Sequence, residues 1–195
     1  MLKQDALDEK KSSTKVDPGL FYGLKNDTRE FETVFRAEFR LGNMFLATPK
    51  GAYDLAVLIN HGEFIFPETI YKKVPEAVED VRQASRCLAF ELYTASGFHL
   101  HRANESVVLK YFDHVSKGKE RPSNRNLGSY IKALENEGAG ENITSCLRDL
   151  KDMHRNPLMH PDQSIEDVND ALALLSSIHN SVVAMLHEIP LPEAS

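Results

Sequence analysis

From Val74 onward, apolar or small residues recur at positions 74, 78, 81, 85, 88, 92 and 95, alternating steps of four and three. That spacing places one side of a helix in a core. Pro75 suits the first turn, Glu76, Glu79 and Asp80 complement the dipole there, and Gly97 is expected to end the helix. A second helix is predicted from about Phe98 to Val115, with Leu100, Ala103, Val107 and Tyr111 on one side. Gly118 and Pro122 then break the chain. A third runs near Leu127 to Glu137, closed by Gly138 and Gly140. A fourth starts near Asn142 and carries Ile143, Leu147 and Leu150 toward Arg155. The fifth spans about Ile165 to Glu188, capped by Ser164. Its seam at 165, 168, 172, 175, 179, 182, 186 and 189 is polar only at His179, which reads as a hydrogen-bonded core or interface histidine.

The segment before Val74 is less regular. Residues 1–26 are polar and aperiodic and read as a poorly ordered arm. Asp27 or Thr28 is expected to cap a helix with Phe31, Val34, Phe35 and Phe39 on one face, stopped by Pro49-Lys50-Gly51. A short element follows from Tyr53 to Asn60, and Glu63 to Phe66 reads as extended, stopped by Pro67. The expected organisation is an arm (1–26), an N-terminal helical extension (27–73) and a helical bundle (74–189). The fold class is all-α, an antiparallel bundle of about five helices with that extension.

Composition narrows the setting. No apolar run approaches the ~20 residues that a membrane-spanning helix needs. The N-terminus has no apolar stretch of the kind a secretory signal carries. Cys87 and Cys146 make no disulfide framework and no metal-ligand spacing, so a reducing cytoplasm is the expected location. The net charge of -6 argues against a broad nucleic-acid-coating surface while leaving room for a small basic cleft. Residues 117–125 concentrate positive charge: Lys117, Lys119, Arg121 and Arg125 stand against the single anion Glu120. A solvated interhelical loop is the plainer reading of that run.

The candidate chemistry lies between the fourth and fifth helices, in His154-Arg155-Asn156-Pro157-Leu158-Met159-His160-Pro161-Asp162. On a regular helix Arg155 and His160 would point about 140° apart. Pro157 is expected to prevent that regularity, because it lacks an N–H and pushes Asn156 out of the α region; Pro161 repeats the interruption. A turn there can aim a guanidinium and an imidazole at one phosphate. Histidine exchanges a proton near neutral pH, and arginine offers planar donors to phosphoryl oxygens. Asn156 could orient either. No carboxylate cluster nearby has metal-site spacing, so metal-free acid–base chemistry without a cofactor is the simpler form. The plainer alternative has Arg155 compensating a helix dipole and Asp162 or Ser164 capping the last helix.

Arg155-Asn156-Pro157-Leu158-Met159-His160 resembles the hallmark of the HEPN superfamily: Arg, a polar residue directly after it, and His after four to six residues. The resemblance extends over about residues 74–189, including Gly97-Phe98-His99-Leu100-His101-Arg102-Ala103-Asn104-Glu105, which is similar to the second helix of many bacterial HEPN-like proteins. It implies a homodimer whose two motifs line one cleft, and metal-independent RNA cleavage through the ribose 2′-OH. His160 would be the base or acid, Arg155 would stabilise the phosphoryl transition state, and Asn156 would support them. A toxin or phage-defence role, with an antitoxin or other regulatory partner, goes with that implication. The tyrosine that many toxin members carry soon after the His is replaced here by Pro161-Asp162-Gln163. A non-catalytic module binding a nucleotide, an RNA or a partner protein is the alternative. His101, Arg102 and Glu105 are the supporting candidates, as a polar network facing the motif or as an exposed helix pair. His99 and His101 diverge on a helix and are no chelating pair.

Overall fold

A computed structural model describes residues 17–42, 47–158, 160 and 162–192. Residues 1–16 of the expected arm, and Pro161 of the motif, lie outside the described residues. The described residues form eight α-helices and no strand; a lone bridge between Lys50 and Tyr53 is all the β-type pairing among them. The chain divides into two units, 1–46 and 47–195.

In the first unit, α1 (Pro18–Leu41) begins earlier than the expected cap at Asp27 or Thr28. Asp17 accepts from the Gly19 N–H at 2.9 Å and Pro18 occupies the first position. That Asp-Pro start opens a helix in a stretch whose polar, aperiodic sequence reads as an arm.

The second unit contains α2 (Leu55–Asn60), α3 (Thr69–Lys73), α4 (Val78–Ala89), α5 (Tyr93–Val115), α6 (Leu127–Asn136), α7 (Glu141–Asp149) and α8 (Val168–Glu188). The long helix α5 is the axis: α4 packs along one side of it and α8 along another. Leu100, Ala103, Val107 and Tyr111 of α5 meet Val81, Ala84 and Leu88 of α4 and Leu174, Ile178, Val182 and Met185 of α8 in one core. Leu58, Phe66, Ile70 and Val74 belong to the same core.

Three boundaries differ from the sequence reading, each for a local reason. Glu63–Phe66 is not extended: Gly62–Ile65 is a 3-10 turn laid on α4. A β-carbon on Gly62 would stand 2.3 Å from that of Ser85, whose hydroxyl donates to the Gly62 carbonyl at 3.2 Å. Gly97 does not end a helix. The break comes at Glu91, which takes the left-handed conformation at φ 64° while the Leu92 N–H returns to the Cys87 carbonyl at 2.8 Å. This is the Schellman closure that glycine usually supplies, as Gly138 at φ 81° does for α6. The last helix starts at Val168, because Asp167, not Ser164, accepts from the Asn169 and Asp170 N–H groups at 2.6 and 3.0 Å.

Gly97 has a packing role instead. It lies inside α5, and a β-carbon there would sit 2.9 Å from the tips of Leu158 and Ile165 and 3.2 Å from Leu174. The missing side chain lets the segment after α7 and the start of α8 approach α5 closely. Gly97→Leu is therefore expected to destabilise the fold by about 1–3 kcal/mol through overpacking, seen as a lower midpoint in urea unfolding followed by circular dichroism.

Candidate functional site

Beyond α7 the helix does not stop; it widens. Leu150–Arg155 forms a π-helical turn in which the Asn156 N–H donates to the Lys151 carbonyl, five residues back, and a closing α-turn covers Asn156–Leu158. Asn156 holds φ −61°, ψ −49°, so Pro157 has not expelled it from the α region as expected. The wider register shifts the carbonyls behind Pro157 around the axis, relieving the clash that proline meets in a regular helix. The reversal comes after Leu158: the His160 N–H donates to the Pro157 carbonyl at 2.9 Å, and the Gln163 N–H to the His160 carbonyl at 3.1 Å.

This geometry turns Arg155 toward α5. Its Nε donates to Glu105 Oε1 in an ion pair, with the arginine side chain a quarter exposed. Glu105 is four residues after His101, so both project from one face of α5. His101 is buried, and neither ring nitrogen has a protein partner among the described residues. Burial, then the Arg155 charge and then His154, push its pKa down to about 4. His101 is thus a neutral imidazole against which a guanidinium is set. Asn104, one turn along, is also buried without a protein hydrogen bond.

The other sequence candidates separate. His160 is exposed at the turn; among the described residues no hydrogen bond joins it to Arg155. Asn156 is exposed, and among the described residues its amide reaches only Asp152 Oδ1, at 3.5 Å. Arg102 faces away from the motif, its Nε 3.2 Å from Asp80, which also binds His99 Nδ1 at 2.9 Å. Of the supporting trio, then, Glu105 binds Arg155, His101 is buried within range of its charge, and Arg102 pairs with Asp80 instead. His179 is half-buried with its ring 5.4 Å from that of Phe66.

The basic loop is partly neutralised. Lys119 binds Glu137 at 2.7 Å, and Arg121 binds Asp113 through two bonds of 2.6 and 3.0 Å. Lys117 is exposed and left-handed at φ 55° where α5 ends. Arg121 and Arg125 nevertheless line one groove of about 120 Å³ together with Glu105, Leu127 and Tyr130. The carboxylate holding Arg155 and two cations of the loop therefore border the same space, a juxtaposition that helical spacing alone could not reveal. A second hollow of about 240 Å³ lies behind the motif between His154, Pro157, Leu158 and Ile165.

Among the described residues no group of three His, Cys, Asp or Glu side chains is placed to hold a metal ion, and no helix is long and apolar enough to cross a membrane. No family model, no curated protein and no solved structure matches the chain.

The state of His101 has a thermodynamic consequence. Its folded pKa lies below the ordinary value near 6.5, so between pH 6.5 and about 4 the unfolded chain binds a proton that the folded chain refuses. Stability contributed by the neutral ring is complete above pH 6.5 and falls as the pH drops through that window, by an order of 3 kcal/mol. Urea unfolding at pH 7 and pH 5 is expected to show a smaller acid loss in His101→Gln than in the wild type.

Proposed function

We propose that the chain is a HEPN-type, metal-independent endoribonuclease acting as a homodimer. The observation that supports this most is the placing of Arg155: its guanidinium pairs with Glu105, and that carboxylate lines a groove together with Arg121 and Arg125. The exposed His160 follows on the next turn of the chain. In the reaction, His160 removes the proton from a ribose 2′-OH, and the oxygen attacks the adjacent phosphorus. The bond to the 5′-oxygen breaks, and that oxygen takes a proton from an imidazolium, either the same His160 or its counterpart in the second copy. Arg155 donates to the phosphoryl oxygens as negative charge gathers on them. Glu105 orients the guanidinium, Asn156 supports the pair from the motif, and Lys117, Lys119, Arg121 and Arg125 draw the RNA backbone toward it. The acidic balance of the chain fits a small cleft and a regulated role, with an antitoxin or another protein partner in a toxin or defence setting.

A second reading draws on the same ion pair. Because Glu105 already occupies Arg155, the motif would serve as a structural clasp in a non-catalytic module that binds a nucleotide, an RNA or a partner protein. The two readings separate in one assay. Under the nuclease reading, the purified chain cleaves RNA in the presence of a chelator, and both His160→Ala and Arg155→Ala lower the rate by about 10²-fold or more with unchanged helical content. Chelator-resistant cleavage that persists at the wild-type rate in His160→Ala would remove His160 from the mechanism. Binding without cleavage would favour the clasp.

A further inference from the structure

We infer that α1 is a self-association element, its apolar face covered by a second copy of this chain. No residue of α1 is buried. Phe21, Leu24, Phe31, Val34, Phe35 and Phe39 are between 46% and 68% exposed, an unusual state for so many large side chains on one helix. At ~100° per residue they fall within a stripe about 140° wide. Within it the Phe31 and Phe35 rings stack at 5.7 Å, and the Phe35 and Phe39 rings stand 4.3 Å apart, so the aromatic ridge is continuous.

The area suits an interface. At about half exposure each, the four phenylalanines and two aliphatic residues offer roughly 600 Å² per helix. Two copies would bury about 1,200 Å², above the roughly 1,000 Å² that a specific protein interface needs. The charges favour another copy over an anionic surface. The first half of α1, 18–29, carries Lys25, Asp27 and Arg29 for a net +1, and the second, 30–41, carries Glu30, Glu32, Arg36, Glu38 and Arg40 for a net -1. Antiparallel pairing of two copies sets these opposite net charges against each other. An interfacial membrane helix, by contrast, gains its grip from a surplus of Lys and Arg, which α1 lacks. The inference uses no residue of the motif, and it shares with the nuclease reading only the presence of a second copy.

The test is the mass of the full chain by sedimentation over a wide concentration range, wild type against Phe31→Gln/Phe35→Gln. Glutamine keeps helix propensity while removing the ridge. The wild type is expected to self-associate and the double variant to do so about 100-fold more weakly, with the thermal transition of the helical signal retained. Arg36→Ala, on the polar side, should leave the mass unchanged. A wild type of single-chain mass at every concentration overturns the inference. So does a double variant that still associates fully, which would locate the contact elsewhere and leave the nuclease reading standing. Flotation of a monomeric wild type with phosphatidylcholine–phosphatidylserine vesicles would assign the ridge to a membrane instead.

Discussion

The motif region depends on how closely the segment after α7 can approach α5. The absence of a side chain at Gly97 sets that distance, because Leu158, Ile165 and Leu174 all crowd the point where a β-carbon would stand. With Leu158 seated there, the preceding π turn is held against the long helix, and Arg155 falls within reach of Glu105. The ion pair follows from packing rather than directing it. A partly exposed pair contributes little on its own, whereas the buried apolar contacts around Leu158 and Leu174 supply the anchoring.

Electrostatics then refine what packing has placed. A guanidinium next to a buried imidazole penalises the charged form of that ring, and burial penalises it further. The result is an arginine paired with Glu105, a carboxylate that itself lines a groove with Arg121 and Arg125. Two of the four cations of that loop, Lys119 and Arg121, are matched by local acids, Glu137 and Asp113. Its formal charge therefore overstates the positive field it projects, and net charge alone is a poor guide to what this surface attracts.

The all-α class was legible because period-3.6 patterns over α4, α5, α6 and α8 are long and strongly apolar. Sharing of one face by His101 and Glu105 followed from a spacing of four. The ends of elements were harder, and the reason is chemical. Glycine was read as the stop signal, yet at α4 a glutamate takes the left-handed position, while the nearby Gly97 is retained for contact rather than for φ. The proline rule failed at Asn156 for a related reason: it assumes an α-helical register, and the chain changed register before the proline was reached. The reach of Arg125 to a groove beside Glu105, and the turning away of Arg102 toward Asp80, depend on tertiary placement that no local pattern encodes.

The corner at Glu91 carries a trade of its own. Its backbone sits in a conformation that glycine would adopt freely, but its carboxylate reaches the ammonium of Lys50 at 2.7 Å, and that lysine is almost wholly withdrawn from water. The lysine's other bond is to the Thr48 hydroxyl at 3.1 Å. Replacing Glu91 by glycine would ease the chain and strand a cation. The residue best suited to the shape of this bend is unsuited to its charge, so a change at either partner leaves the other with a cost.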